Sequence, residues 1–175
     1  MDRRRMLHAF KAAKEVGNYQ DAAVLPEHVD PQLHLSNNSV TQPFYLVCEH
    51  DTVVGQLSGA ARIRLRETSV NAFGMEPGDL VYVPAGTPHR IEPVTPSVQI
   101  RYKVRDSKRE GAVWTCPHCD EQIARLDWQL TEPPSAAYAA ACQWFNHQYA
   151  GTQCPGCSQP VAAVDLHDPA GSVAQ

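Results

Sequence analysis

Gly78-Asp79-Leu80-Val81-Tyr82-Val83-Pro84-Ala85-Gly86-Thr87-Pro88-His89 is the stretch whose reading decides the fold. Leu80 to Val83 is a short apolar run rich in the branched and aromatic side chains that suit a pleated surface. Pro84 has no N–H to give a ladder, so the strand stops there. Gly86 supplies the turn that reverses the chain, and His89 returns from it.

Outward from this stretch, the chain from about Leu33 to Val104 keeps the same character. Phe44–Cys48, Val53–Leu57, Ala61–Leu65, Leu80–Pro84 and Val98–Val104 are short apolar or alternating runs separated by Gly, Pro, Asn and Asp. Short strands at this pitch predict an all-β sandwich or barrel. Two runs alternate strictly. Ile63 and Leu65 oppose Arg62, Arg64 and Arg66, and Val98, Ile100, Tyr102 and Val104 oppose Gln99, Arg101 and Lys103. Each has one apolar and one polar or basic face, the pattern of a strand with one side on a core. A basic face of this kind is ordinarily solvated. If Arg101 and Lys103 instead face a cavity, they would bind a carboxylate or another anion.

The flanks read differently. Met6, Phe10, Ala13 and Val16 share a face at helical spacing, so Met1 to about Val16 is expected to be a docking helix stopped by Gly17 and Asn18. Asp106 to Gly111 is charged and reads as a linker. Beyond it, Pro133 and Pro134 precede an alanine-rich helix whose stripe is Tyr138, Cys142, Phe145 and Tyr149. Residues 168–175 are small and polar, as in a frayed tail. These shifts divide the chain into a helix (1–20), a barrel (21–108), a metal module (109–165) and a flexible tail (166–175).

The module rests on Cys116-Pro117-His118-Cys119 and Cys154-Pro155-Gly156-Cys157. Two residues between cysteines let both sulfurs converge on one ion, and two such knuckles complete a tetrahedral thiolate site for Zn or Fe. Four sulfurs leave no open position, so the expected role is structural or electron-transferring. A thioredoxin-like redox motif would need an α/β context that is lacking here. Cys48 and Cys142 read as small buried hydrophobes.

The 175 residues suffice for one ordinary domain and an appendage, and the net charge of −4 argues against nucleic acid as a partner. No apolar run approaches the roughly 18 residues of a membrane span. No apolar stretch follows Arg3 to Arg5, so no signal peptide is expected. A cytoplasmic setting follows, in which six cysteines favour metal over disulfides.

Gly78 to His89 resembles the second motif of cupins: a Gly, five residues, Pro-x-Gly, two residues, then His. This implies a mainly β, double-stranded β-helix (jelly-roll) barrel. With Trp114, the two Cys pairs, Leu126, Leu130 and the helix ending in Phe145, the chain resembles bacterial 3-hydroxyanthranilate 3,4-dioxygenases. The resemblance implies a catalytic Fe(II) held in the barrel by two His and one Glu, a rubredoxin-like iron on the four cysteines, and a homodimer. His89 matches the motif histidine. The other two ligand positions, anchored on Gly59, fall on Leu46 and Thr52. Glu49, His50 and Asp51 lie nearby but off register, so the candidate catalytic set is His89, His50 and Glu49. The family's arginine four residues after the motif histidine is Pro93 here, and its last-strand acid is replaced by Arg101, Tyr102 and Lys103. Arg101 and Lys103 are therefore the candidate contacts to a small acidic or aromatic molecule. His34 is a further donor.

Two functions follow as expectations. One is a divergent iron-dependent dioxygenase acting on a small aromatic or carboxylated substrate. The other is a barrel without iron, either a binding module or an isomerase or cyclase in which His89, with Glu49 or Glu92, does acid–base work. In that second case the Cys-bound metal is purely structural.

Overall fold

A computed structural model describes residues 6–17, 20–106, 109–130 and 134–166. Two antiparallel sheets make up the body. The first contains β1 (Ala22–Ala23), β2 (Gln32–Asn38), β4 (Thr52–Ser58), β7 (Leu80–Val83) and β9 (Ser97–Lys103), in the order β1-β2-β9-β4-β7. The second contains β3 (Tyr45–Cys48), β5 (Ala61–Leu65), β6 (Ala72–Met75), β8 (His89–Pro93), β10 (Arg109–Thr115) and β11 (Gln122–Gln129), in the order β11-β10-β3-β8-β5-β6. Among the described residues two helices accompany them, α1 (Ala9–Ala13) and α2 (Pro134–Tyr149). None of the described helices is long and apolar enough to cross a membrane.

The decisive stretch behaves as its residues dictate. The strand ends at Val83, Gly86 takes a positive φ of 75°, and His89 opens β8 on the opposite sheet. Gly59 is a second turn that only glycine fits. Its φ is 67°, and an added Cβ would lie 2.9 Å from Ser97 Cα.

The two alternating strands differ in outcome. In β5, Ala61, Ile63 and Leu65 are buried and the arginines point outward, which builds a core with Val54, Met75, Val83 and Ile91. In β9 the pattern is inverted. Gln99, Arg101 and Lys103 are 1%, 3% and 4% exposed, whereas Tyr102 is exposed and Val98 and Ile100 are half-buried. The solvated basic face expected from the alternation is therefore the inner face. Period-two patterning says which residues share a side; it does not say which side is in. Here the neighbours decide. Gln32, His34, Ser36 and Asn38 of β2 and Thr52 and Gln56 of β4 also point inward, so the first sheet presents a polar interior. That interior is stable because its groups bond to one another. Asn38 donates to Gln99 Oε1 at 2.6 Å, and Gln99 donates to Gln56 Oε1 at 2.9 Å.

Two further expectations change. The segment 106–111 is not wholly a linker: Arg109 to Gly111 begin β10, which pairs with β3, so the second sheet runs across the position dividing barrel from module. Glu110 is buried because its register partner is Cys48 on the inner face. Among the described residues the N-terminal helix spans Ala9–Ala13; Ala13 and Val16 are buried, but Met6 and Phe10 are exposed. Residues 1–5 and the tail 167–175 lie outside the described residues.

The alanine-rich helix forms as expected. Tyr138, Cys142 and Phe145 of α2 are buried against Phe44, Leu46, Cys48, Ala112 and Trp114. Trp114 stacks on Phe145 with ring centroids 4.8 Å apart and an interplanar angle of 11°. This apolar cluster joins the last helix to the inner face of β3 and β10.

Candidate functional site

Two places gather chemically active side chains. The first is the cysteine cluster. The turn before β11 carries Cys116 and Cys119, and the turn after α2 carries Cys154 and Cys157. The two knuckles share one backbone design. Asp120 N–H donates to Cys116 O at 2.9 Å, and Ser158 N–H donates to Cys154 O at 2.9 Å. The residue closing each turn is left-handed, Asp120 at φ 60° and Ser158 at φ 58°. Gly156 sits close to the other knuckle: an added Cβ would lie 3.0 Å from Glu121 Cβ and 3.2 Å from Cys119 Sγ, a tight fit that its neighbours would have to yield to.

All four Sγ atoms lie within 4.8 Å of one another. Cys116 to Cys157 and Cys119 to Cys154 are each 3.6 Å. A tetrahedron of thiolates at about 2.3 Å from a metal has edges of about 3.8 Å, so the four cysteines fit a Zn or Fe ion. The His118 backbone N–H lowers the Cys116 thiol, whereas burial and the neighbouring sulfurs raise Cys119 and Cys157, as expected of thiols crowded around one point. Cys116 and Cys154 are buried, Cys157 is half-buried and Cys119 is exposed. A cleft of about 660 Å³ opens beside the cluster, between it, Trp114 and Arg90. Arg66 ties the first knuckle to the barrel by donating to Asp120 Oδ1 at 2.6 Å.

The second place is the barrel interior around His89. The set His89, His50 and Glu49 is not brought together. His89 is fully buried on β8, whereas Glu49 and His50 are exposed in the turn between β3 and β4. The reason is register: Leu46 sits opposite His89 across β3 and β8, so the residues at the hairpin tip fall beyond the interior. Asp51 is also outside, accepting from the Ala85 N–H at 2.8 Å. Thr52 is inside but spends its hydroxyl on Tyr102 O at 2.8 Å.

Arg101 and Lys103 do converge with His89. Arg101 Nη1 donates to His89 Nε2 at 2.8 Å, and His89 Nδ1–H donates to Thr87 O at 3.0 Å. The imidazole is thus neutral with both nitrogens engaged. Burial, and then Arg101, push its pKa down to about 3. Lys103 Nζ pairs with Glu110 and donates to Tyr138 Oη at 3.0 Å. Asp21 completes the group. Its carboxylate accepts from Ser36 Oγ and from Tyr138 Oη at 3.1 Å, and lies 3.4 Å from Lys103 Nζ and 3.5 Å from Arg101 Nε. Burial opposes the Asp21 charge, but Arg101, Lys103 and the Ser36 hydroxyl together hold its carboxyl well below the usual range. Burial, with Asp21 and Glu110, raises the Tyr138 phenol well above its ordinary value. His34, opposite Arg101 across β2 and β9, is pushed down to about 4 by burial and Lys103.

Asp21, Glu110 and Tyr138 were not among the sequence candidates. Asp21 carries no motif, and Glu110 is disguised by the charged run before it. Tyr138 is legible as a buried stripe residue, but its hydroxyl partners come from distant parts of the chain.

Iron does not fit the barrel. The ring nitrogen of His89 that is not bonded to Thr87 takes a hydrogen from a guanidinium, and Leu46 and Thr52 offer no ligands beside it. Among the described residues, the one group of three or more His, Cys, Asp or Glu placed to hold an ion is the four cysteines.

The chain is mainly β, with two antiparallel sheets and a four-cysteine cluster near its C-terminal end, and its solved neighbours include cupin-domain proteins. It is similar to a hydroquinone 1,2-dioxygenase from Sphingomonas sp. TTNP3 solved with 4-hydroxybenzoate bound, at 14% identity and a TM-score of 0.50, over 55% of this chain and 72% of that one. A second hydroquinone 1,2-dioxygenase, solved with Cd2+ and 4-hydroxybenzonitrile, is 17% identical with a TM-score of 0.49, over 55% of this chain and 71% of that one. A cupin-2 domain protein from Shewanella frigidimarina is 13% identical with a TM-score of 0.48, over 57% of this chain and 93% of that one. The likeness at a TM-score of 0.50 is one of fold alone and leaves the chemistry open. No protein-family model and no curated protein matches the chain.

Proposed function

We propose that this chain is a cupin metalloprotein whose metal sits on Cys116, Cys119, Cys154 and Cys157, and whose barrel works without iron as a site for a small acidic molecule. The observation that carries this reading is the 2.8 Å contact between Arg101 Nη1 and His89 Nε2. A guanidinium carries a permanent charge, and it stands where a metal would have to meet that nitrogen. Arg101 and Lys103 are buried cations, the chemistry that recognises a carboxylate. The metal on the four cysteines has all its positions filled by sulfur. It acts by fixing the knuckles, and through them the helix α2 that delivers Tyr138 to the barrel.

The resemblance to 3-hydroxyanthranilate 3,4-dioxygenases supports a second reading, a divergent dioxygenase acting on a small aromatic or carboxylated substrate. It requires Arg101 to leave His89 and outside ligands to enter. Elemental analysis of protein purified without oxygen separates the two, using wild type and a variant lacking the four cysteines. One metal per chain, lost completely in the variant, is the expected result. An iron retained by the variant would transfer the argument to the dioxygenase.

A further inference from the structure

The barrel's charges balance only because of one side chain from the N-terminal segment. Arg101 and Lys103 contribute two positive charges, and Asp21 and Glu110 two negative ones. His34 and His89 are neutral, since burial lowers both, and Tyr138 keeps its proton. Glu110 belongs to β10, inside the second sheet, where its side chain pairs with Lys103 and lies 3.1 Å from Tyr138 Oη, an alternative to Asp21 for the one phenol hydrogen. Asp21 is carried differently. It precedes β1, a two-residue strand at the edge of the first sheet, held by the pairs Ala22 with Leu35 and Ala23 with His34.

The donors around Asp21 come from three separate elements: Ser36 from β2, Arg101 and Lys103 from β9, and Tyr138 from α2. Such convergence of hydroxyls and cations on two oxygens is the geometry of a carboxylate site. Asp21 fills that site imperfectly. Arg101 Nε is buried at 3.5 Å from Asp21 Oδ2 with no hydrogen bond, and His34 Nδ1 in the same interior, on a residue 7% exposed, has no partner among the described residues. A carboxylate tethered to the main chain stops short of donors that an untethered one would reach. Removing it leaves two cations facing one carboxylate, an excess of one positive charge in a closed, poorly solvated space. A single buried charge of that kind is costly until an anion meets it.

We infer that Asp21 is a built-in occupant of the barrel's ligand site, and that Ser36, Arg101, Lys103 and Tyr138 take a small monocarboxylate when Asp21 is removed or displaced. The inference rests on the reading that the barrel holds no iron and binds an acidic molecule.

Thermal unfolding of wild type and Asp21→Ala in acetate, against chloride at equal ionic strength, tests it. Acetate should raise the Tm of Asp21→Ala by about 4 °C, the shift expected near tenfold saturation in a chain of this size. Wild type should need at least about ten times more acetate for the same shift, because its own carboxylate competes. If Asp21→Ala does not fold in chloride, Asp21→Ser is read in the same way, since its hydroxyl keeps a polar contact for Tyr138. Acetate responses confined to the variants support the inference. Equal responses in wild type and variants keep the anion site but remove Asp21 as its occupant. Folded variants indifferent to acetate overturn the inference, and so does the failure of acetate to restore either variant. Total metal on the same samples tests the metal-free barrel separately: one ion per chain is accounted for by the four cysteines, and a second ion would place one in the barrel.

Discussion

Arg101 Nη1 lies 2.8 Å from His89 Nε2, on opposite sheets of the barrel and entirely within its interior. A histidine delivered by the Pro84-to-His89 turn is well placed to ligate a metal, yet here it accepts a hydrogen from a cation that never deprotonates. The consequence spreads through the interior. A fixed positive charge at that point calls for fixed negative charge nearby, and Asp21 and Glu110 supply it from distant parts of the chain. The interior is an ion-pair network in which two buried cations face two buried carboxylates.

The cysteine cluster should govern metal content and the stability of the C-terminal half together. Cys116→Ser is expected to reduce bound metal from one per chain to none and to lower unfolding stability by at least about 3 kcal/mol, on the scale of losing a structural ion. Elemental analysis with denaturant unfolding, with and without chelator, checks this. Wild type should lose stability to the chelator, and the variant should not respond.

Acid should destabilise the fold well before the carboxylates titrate. His34 and His89 have folded pKa values of about 4 and about 3 against ordinary values of 6.5. Unfolding therefore takes up a proton at each as pH falls below about 6.5, while the native state stays neutral. Their contribution is complete above pH 6.5 and is lost on the way down to pH 4 and 3, at about 2 kcal/mol each by pH 5. Asp21 has a depressed pKa, so its contribution is present above about pH 4 and is lost only below that. Urea unfolding between pH 7 and 5 measures the first phase. His34→Gln should halve the slope in this window, and an unchanged slope would show that the native state protonates too.

The shared hydroxyl of Tyr138 gives a third expectation. It accepts from Lys103 and donates to a carboxylate, Asp21 or Glu110. Tyr138→Phe keeps the ring against Phe44 and Trp128 but strips those partners of a bond. A loss of about 1–3 kcal/mol should follow, the usual cost of leaving a buried polar group short of a partner. The denaturant dependence m should be unchanged, because the surface exposed on unfolding is the same.

Much of this was legible in the residues, and the exceptions share a cause. The five strand runs appear where the turn-forming residues bound them, and β5 buries the apolar side its alternation presents. The two-residue spacing puts each cysteine pair in one turn, a local rule, and the paired motifs point to one shared site, but the meeting of the two knuckles comes from the packing of α2 and β11. Strand β9 has an equally clean alternation and the opposite outcome. Facing direction depends on partners, and those of Arg101 and Lys103 are Asp21, His89, Glu110 and Tyr138, scattered from the first strand to the last helix. Glu49 and His50 stand outside the interior for a related reason. Nearness in sequence to a motif position does not place a side chain inside when Leu46 already takes the inner place opposite His89.

The coupling between Asp21 and Arg101 offers the most direct measure of the network. Arg101→Met removes the cation, leaving Asp21 with Lys103, Ser36 and Tyr138 and leaving His89 Nε2 without its donor. Asp21→Asn removes the negative charge while keeping the side-chain volume. Breaking one partner of a buried pair typically costs about 3–5 kcal/mol, and replacing both costs far less than the sum. The double variant should therefore recover at least about 1 kcal/mol relative to additivity, as residues in one network do. Equilibrium unfolding of all four proteins at pH 7 completes the cycle. An additive result would mean that the two side chains, although 3.5 Å apart, do not depend on each other, and that Lys103 alone sustains the Asp21 charge.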